Sequence, residues 1–193
     1  MTTFLDSYFD TLGAMGPATR ATDADGRELP LAQAFAWVND TARDAHATGN
    51  TVIFVGNGGS AGIAGHMATD FSKVGGVRAV TFNDASSLTC LGNDLGYDQV
   101  FAQPVAMHGR PGDLLVAISS SGRSANILTA VKAARAKKCK VLTLSGFAPD
   151  NPLRALGDVN LYVPASAYGF VEITHLALLH AVLDGRQGWP TPA

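Results

Sequence analysis

The chain has 193 residues, of which 47% are hydrophobic and 16% are charged; this suffices for one buried core, and we expect a single domain over residues 1–193. The formal net charge is −2, and no cluster of Lys or Arg is longer than Lys137-Lys138, which argues against nucleic acid and anionic membranes as partners. No apolar run reaches the roughly 18 residues that cross a bilayer, and the first residues lack a signal-peptide pattern, so we expect a cytoplasmic protein.

The first quarter of the chain has the pattern of helices. Residues 4–15 and 31–48 carry apolar side chains at helical spacing, which predicts an N-terminal helical segment over about residues 1–48. Residues 22–27 lie between them, are polar and contain turn-forming Asp and Gly, and they predict a loop. We expect the outer helices to be the surfaces at which subunits meet.

From residue 51 onward, short apolar runs alternate with helical patterns. Continuous apolar runs are typical of strands that are covered on both faces, and a β-α-β alternation indicates a parallel sheet. The predicted fold is therefore doubly wound α/β, with a five-stranded parallel sheet flanked by helices. The predicted strands are residues 51–55, 78–82, 114–118, 141–144 and 160–163, the predicted helices are residues 61–72, 101–107, 124–137 and 170–184, and residues 186–193 are a predicted tail.

Two loops rich in Ser and Gly each follow a predicted strand and precede a predicted helix, over residues 55–60 and 118–124. Glycine lets backbone N–H groups come close to a ligand, and the first turn of a helix favours an anion. Parallel strands end at one edge of the sheet, and ligands bind there, near the point where strand order reverses. The two loops therefore predict one shared pocket for a small phosphate monoester.

The second loop contains Ser119, Ser120, Ser121 and Ser124. Serine hydroxyls donate hydrogen bonds without adding charge, so they suit one compact phosphate. The alternative is an ordinary helix cap, because Ser124 stands before a predicted helix. Four serines in six positions exceed what a cap requires, and we favour phosphate binding.

Two predicted helices carry histidines and carboxylates. His66 and Asp70 are four residues apart, so they project from one helix face about 6 Å apart along the axis, where they can bind zinc, share a proton transfer or form a plain surface pair. Glu172, His175 and His180 lie on the last helix beside an apolar stripe of leucines. We interpret His175 as structural and His180 as functional, with a core or interface role as its alternative.

The two cysteines, Cys90 and Cys139, are isolated and have no metal-type spacing. We interpret both as buried thiols of a protein from a reducing compartment.

Three blocks occur in one order: residues 56–60, 92–97 and 119–126. Together with His66 and His180, they resemble the sugar isomerase (SIS) family and, more narrowly, its phosphoheptose isomerases, over most of residues 50–185. The resemblance implies interconversion of sedoheptulose 7-phosphate and D-glycero-D-manno-heptose 7-phosphate through an enediol. It also implies a homotetramer and a divalent metal such as zinc.

The resemblance also implies roles for individual residues. Asp70 is the base in our hypothesis and His180 its partner at the oxygens, although a metal-bound carboxylate is a weaker base, so the two roles of Asp70 compete. Asn93 and Asp94 match residues at the sugar, with a plain turn as their alternative. The implied metal ligands are His66, Asp70, Glu172 and His180, and the implied substrate-binding residues are Asn57, Gly58, Gly59, Ser60, Asn93, Asp94, Ser119, Ser120, Ser121, Ser124 and Glu172.

The sequence departs from the family's pattern at three positions. Asp70 stands where the family typically has glutamate, Glu172 where glutamine is common, and Gly169 where aspartate is common. A base shortened by one methylene group affects rate, because catalysis is sensitive to shifts of about 1 Å. These departures keep two alternatives open: an isomerase of a different ketose phosphate, and a non-catalytic sugar-phosphate sensor or protein-binding module.

A third alternative is a dinucleotide-binding oxidoreductase. Gly56, Gly58 and Ala61 loosely fit a Gly-x-Gly-x-x-Ala fingerprint, and Asp84 follows the second predicted strand. That class of protein does not account for the serine loop or for the helices that carry histidine.

Overall fold

The computed structural model describes residues 3–186, which form three layers with a mixed seven-stranded sheet between two layers of helices. Of the predicted tail over residues 186–193, residue 186 is the last residue of the final helix, and residues 187–193 lie outside the described residues. The strands are β1 Arg20–Asp23, β2 Glu28–Leu29, β3 Val52–Gly56, β4 Ala79–Thr81, β5 Leu114–Ser119, β6 Lys140–Ser145 and β7 Val159–Tyr162, and the helices are α1 Phe4–Ala18, α2 Leu31–Ala47, α3 Gly59–Lys73, α4 Ala85–Leu95, α5 Ala102–His108, α6 Ala125–Ala136 and α7 Tyr168–Arg186.

The sheet has the strand order β2-β1-β7-β6-β5-β3-β4. The five predicted strands, now β3 to β7, are all parallel to their neighbours in this group, which confirms the doubly wound α/β class. Their order reverses between β3 and β5, which pair from Val52 opposite Leu114 to Gly56 opposite Ile118. The two serine- and glycine-rich loops follow these two strands, so they leave the sheet side by side.

A β-hairpin that the sequence did not reveal extends the sheet beyond β7. β1 pairs antiparallel with β7, and β2 with β1, so the sheet is mixed and seven-stranded rather than parallel and five-stranded. The predicted loop over residues 22–27 overlaps the end of β1, and Asp23 closes the turn by accepting hydrogen bonds from the backbone N–H groups of Asp25 and Arg27. These strands are four and two residues long, too short for a periodic signal. The single-domain organisation over residues 1–193 stays a prediction.

The core lies on both faces of the sheet because neighbouring strand residues point to opposite sides. Val52 and Phe54 pack with α2, α3 and α7, whereas Ile53 and Val55 pack with α5 and α6. Both faces are therefore apolar, which explains the continuous apolar runs in the sequence.

Helix α4 is a second element that the sequence did not reveal. Asp84 caps this helix, because its carboxylate accepts a hydrogen bond from the Ser87 N–H at 3.0 Å. The carboxylate that the dinucleotide-binding alternative relied on therefore has a structural role. Ser, Thr, Gly and Asn are weak helix formers, and they conceal the helix in the sequence. Cys90 on α4 is exposed, so its interpretation as a buried thiol is wrong. Cys139 is buried, and burial raises the pKa of its thiol to about 11.

The outer helix α1 has no buried residue and exposes Phe4, Leu5 and Phe9. It contacts α7 through the rings of Tyr8 and Phe170, whose centroids are 4.8 Å apart. Among the described residues, no helix is long and apolar enough to cross a membrane.

His175 on α7 has the structural position that the sequence analysis gives it. It is fully buried, and its Nε2 lies 3.1 Å from the carbonyl oxygen of Ser145 on β6. Burial disfavours the charged ring and lowers the pKa of His175 from 6.5 to about 4. The ring therefore stays neutral and packs the helix against the sheet.

This burial predicts a loss of stability in mild acid. Unfolded His175 binds a proton at a higher pH than the folded ring, so its contribution is complete above pH 6.5 and falls as the pH drops toward 4. We expect about 2 kcal/mol of the free energy of unfolding to be lost from this residue between pH 7 and pH 5. Urea titrations at both pH values check this: His175→Gln is less stable at pH 7, but its stability changes less with pH. An equal pH dependence in both proteins would contradict the assignment.

Candidate active site

A cavity of about 290 Å³ opens at the edge of the sheet, where β3 and β5 end. Both loops predicted to bind a phosphate line it, so the structure brings them together as the strand topology requires. The lining residues are Asn57, Gly58, Gly59, Ser60, Ile118, Ser119, Ser120, Ser121, Ser124, Tyr168 and Glu172.

The first loop depends on two glycines. Gly58 precedes α3 with a φ of +53°, a left-handed conformation that favours glycine. A Cβ at Gly56 would lie 2.6 Å from the carbonyl carbon of Ser60, so only glycine permits this tight turn. The first turn of α3 therefore begins at the cavity, where its free N–H groups suit an anion.

The second loop presents hydroxyl groups that the protein does not use as caps. Ser124 is the N-cap of α6, yet its side chain makes no capping hydrogen bond; its Oγ lies 3.3 Å from the Oγ of Ser119. The Oγ of Ser120 is buried and has no hydrogen-bond partner in the described part of the chain. Because unpaired buried hydroxyls are unfavourable, this arrangement favours ligand binding over capping alone.

Gly122 gives the second loop its shape. Its φ is +61°, and a Cβ there would overlap the buried side chain of Asn151. The Gly122 N–H donates to the Ser119 carbonyl oxygen at 3.0 Å and also approaches the Ser119 Oγ at 3.2 Å. The loop thus curls back on the end of β5.

Glu172 enters the cavity from α7. A Cβ at Gly59 would lie 2.6 Å from the Glu172 Cδ, so the carboxyl group packs directly on the first turn of α3. The partial positive charge at that helix end favours the carboxylate. Glu172 therefore places a negative charge beside the neutral donors of the serine loop.

A second cluster lies farther along the same two helices. The Nε2 of His66 is 3.1 Å from the Nε2 of His180 and 3.3 Å from the Oδ2 of Asp70, and the three ligand atoms lie within 4.8 Å of one another. Ligands of a tetrahedral zinc with bonds of roughly 2.0 Å are about 3.3 Å apart. Two imidazole nitrogens and one carboxylate oxygen at these distances fit zinc.

The cavity and this cluster lie at two different heights along the same pair of helices, α3 and α7. Gly59 lies beside Glu172, and His66 lies beside His180, so α3 and α7 run in the same direction. Seven residues of helix correspond to about 10 Å. Among the residues implied as metal ligands, Glu172 therefore lines the cavity and is not part of the His66–Asp70–His180 cluster.

The structure does not bring Asn93 and Asp94 to the cavity. They lie in the last turn of α4, exposed, with the Asn93 Nδ2 donating to the Asp94 Oδ1 at 2.8 Å. Their position in a helix also excludes the plain turn that was the alternative interpretation.

The sequence analysis missed two side chains at the site. Tyr168 stands exposed at the cavity, with its ring centroid 4.9 Å from that of Phe147. Asn126 hydrogen-bonds Asn57 across the two loops. Asn126 closes the serine-rich block of the sequence, so its place in that block was the available signal.

Comparisons with known proteins agree with this geometry. A family model described as the SIS domain matches residues 27–146. The chain is 39% identical over 146 residues to the phosphoheptose isomerase of Thiobacillus denitrificans, covering 72% of this chain and 74% of that protein. It is 39% identical over 140 residues to that of Rhodospirillum rubrum, covering 68% and 73%.

Solved structures extend the similarity. The phosphoheptose isomerase of Neisseria gonorrhoeae matches with a TM-score of 0.81 and 31% identity, over 94% of this chain and 97% of that one. That of Francisella tularensis matches with a TM-score of 0.80 and 27% identity, over 95% and 96%. The fold is thus that of the SIS domain. The chain belongs to the SIS domain family and, within it, to the phosphoheptose isomerases.

The unpartnered hydroxyl of Ser120 gives a direct test of the serine loop. We expect Ser120→Ala to raise the free energy of unfolding of the ligand-free protein by about 1 kcal/mol, because a buried hydroxyl without a partner is removed. The same variant should bind a phosphate monoester about tenfold more weakly.

Ser119→Ala is the matched control, because its hydroxyl lies within hydrogen-bonding distance of the Gly122 N–H. We expect it to lower the free energy of unfolding by about 1 kcal/mol. Thermal unfolding and calorimetric titration measure both quantities. A destabilised Ser120→Ala protein with unchanged affinity would contradict the assignment.

Proposed function

We propose that this chain isomerises sedoheptulose 7-phosphate to D-glycero-D-manno-heptose 7-phosphate through an enediol. The observation that carries the proposal is the pairing of an anion-binding cavity with a His66–Asp70–His180 cluster on the same two helices. One end holds a phosphate, and the other carries groups that move protons. The relatives at 39% identity are named for this activity.

The phosphate binds in the serine loop. Ser119, Ser120, Ser121 and Ser124 supply hydroxyl donors, and the N-termini of α3 and α6 supply backbone N–H groups. Asn57, Gly58, Gly59, Ser60 and Glu172 surround the start of the sugar chain. Asn93 and Asp94 are exposed and do not line the cavity, so we assign them no contact with the substrate within one chain.

The distance between the two sites fits a long sugar. An extended seven-carbon chain spans roughly 10 Å from its phosphate to C1, at about 1.3 Å per carbon–carbon bond. The helix rise from Gly59 to His66 is also about 10 Å. A phosphate in the serine loop therefore lets C1 and C2 reach the cluster, which a triose phosphate is too short to do.

The reaction moves one proton between neighbouring carbons. Asp70 takes the proton from C1 of the ketose; the C–H electron pair forms the C1–C2 double bond, and the C2 oxygen takes a proton from His180. In the second half, the C1 hydroxyl returns its proton to His180, and Asp70 delivers its proton to C2. Substrate and product are isomers, so no electrons or atoms are gained.

His66, Asp70 and His180 are the residues that would hold zinc. Three protein ligands leave an open position, as in catalytic zinc sites. The Nε2 of His180 would then be a ligand, so the metal would polarise the oxygens at C1 and C2 in place of proton donation by that nitrogen. Glu172 lies at the cavity instead, so we assign it to the sugar hydroxyls. His66 is half exposed, which leaves the cluster open to substrate.

Replacing Asp70 by asparagine separates the two roles proposed for this residue. Asparagine keeps an oxygen for the metal but cannot accept the C1 proton, so we expect kcat to fall by about 10²- to 10⁴-fold with zinc content retained. Turnover assays and metal analysis of the same preparation measure both. Unchanged turnover would show that Asp70 is not the base. Loss of both zinc and activity would show that the main role of Asp70 is to bind the metal.

Neutralising Glu172 tests its placement at the cavity. Glu172→Gln removes a negative charge near the bound phosphate, and we expect KM to fall by about two- to fivefold with zinc content unchanged. Asp184→Asn, a carboxylate of α7 outside the cavity, is the control and should leave KM unaltered. Loss of zinc in Glu172→Gln would instead place this residue among the metal ligands.

The working protein is a cytoplasmic homotetramer in this proposal. The first half of α1 exposes Phe4, Leu5 and Phe9, and its second half lines an apolar groove of about 540 Å³ together with α2 and α7. Such an apolar surface suits burial against another subunit. Light scattering after gel filtration measures the mass of the assembly.

The first experiment is turnover of sedoheptulose 7-phosphate by metal-analysed protein, with and without a chelator. Aldose formation that the chelator abolishes supports a metal-dependent isomerase. Binding without turnover would favour the non-catalytic sugar-phosphate sensor. Turnover of another ketose phosphate, with none of sedoheptulose 7-phosphate, would show that the protein is an isomerase of that other sugar. The five parallel strands follow the order β4-β3-β5-β6-β7, which is 2-1-3-4-5 in chain order, whereas the dinucleotide-binding fold has the order 3-2-1-4-5-6. With Asp84 used as a helix cap, this strand order argues against an oxidoreductase.

A further inference from the structure

We propose that Asn126 is a positioning residue, which holds the side-chain amide of Asn57 in one orientation at the cavity. The inference rests on the proposed function only in its choice of sugar phosphate as the ligand. It assigns a role to a buried side chain that does not line the cavity itself.

The two side chains form a reciprocal amide pair. The Asn57 Nδ2 donates to the Asn126 Oδ1 at 2.9 Å, and the Asn126 Nδ2 donates to the Asn57 Oδ1 at 2.8 Å. Asn126 is 3% exposed, whereas Asn57 is partly exposed and lines the cavity. Asn126, a buried residue of α6, is thus hydrogen-bonded to Asn57 of the first loop, 69 positions away in the sequence.

The backbone decides which way the pair is oriented. The N–H of Ile127 is shared between the Asn126 Oδ1 at 3.0 Å and the Ser124 carbonyl oxygen at 3.1 Å. A backbone N–H cannot act as an acceptor, so it would repel the nitrogen end of Asn126. The oxygen end of Asn126 is therefore fixed, and its nitrogen end must face the oxygen of Asn57. In this orientation the hydroxyl of Tyr97 is a second donor to the Asn57 Oδ1, at 3.3 Å.

This orientation leaves Asn57 with a donor for the ligand. Its oxygen already accepts two hydrogen bonds, and one proton of its Nδ2 is used by Asn126. The second proton of Nδ2 has no partner among residues 3–186, so the cavity receives an N–H group whose rotation is already restricted. The ligand atom opposite Asn57 must then be an acceptor, such as a sugar hydroxyl or carbonyl oxygen, and its binding requires little further ordering.

A double-mutant cycle separates positioning from simple stabilisation. Asn57→Ala, Asn126→Leu and the double variant are titrated with sedoheptulose 7-phosphate by calorimetry. If Asn126 acts through Asn57, each single variant binds about tenfold more weakly, and the double variant binds no more weakly than Asn57→Ala. Losses that multiply in the double variant would overturn the proposal.

Asn160→Leu is the matched control. Asn160 on β7 is also buried, and its Oδ1 accepts from Thr143 Oγ1 and the Gly157 N–H, away from the cavity. We expect this variant to lose stability and keep its affinity for the sugar phosphate. Equal weakening of binding in Asn160→Leu would show that any lost buried asparagine has this effect, and it would overturn the proposal.

A crystal structure of the Asn126→Leu protein tests the positioning without any ligand. The expected result is an Asn57 amide rotated away from its place in the cavity, and an Asn57 side chain that keeps its place would overturn the inference. If Asn126→Leu does not fold, Asn126→Asp replaces it, because a carboxylate still accepts from the Ile127 N–H but cannot donate to Asn57. Failure of the wild-type protein to bind the sugar phosphate would refute the proposed function, while the crystal structure still decides the role of Asn126.

Discussion

The pairing of β3 with β5 is the constraint on which the whole site depends. The strand order reverses between them, so the chain leaves these two strands toward opposite faces of the sheet and opens a crevice between their loops. Both loops must then turn sharply, which explains the glycines at positions 56, 58 and 122. The Asn57–Asn126 pair closes the gap between the loops behind the cavity.

The second determinant is the shared direction of α3 and α7. Both follow parallel strands and pack on the same face of the sheet, so their N-termini meet at the cavity edge and their side chains remain aligned along two turns. This alignment places Gly59 against Glu172 and His66 against His180. In the proposed function, the helix rise therefore sets the distance between the phosphate site and the His66–Asp70–His180 cluster, and with it the length of sugar that fits.

The sequence patterns that succeeded were long or repeated. Five apolar runs identified β3 to β7 within two residues, and six helices were predicted near their observed bounds. The hairpin β1–β2 was missed because its stability comes from pairing with β7, a contact formed across more than 130 residues. Helix α4 was missed because weak helix formers, namely Ser, Thr, Gly and Asn, make up about half of it, and the same error put Asn93 and Asp94 outside any helix.

The sequence by itself determined the chemical groups: two loops able to bind a phosphate, and the pair His66 and Asp70 on one helix, because local spacing decides both. Only the tertiary structure brought His180 to within 3.1 Å of His66 and separated Glu172 from that cluster. It also decided that Ser124 does not cap its helix and that Asn126 holds Asn57. These contacts join residues 69 and 114 positions apart, so they follow from the packing of helices on a sheet, which local spacing does not encode.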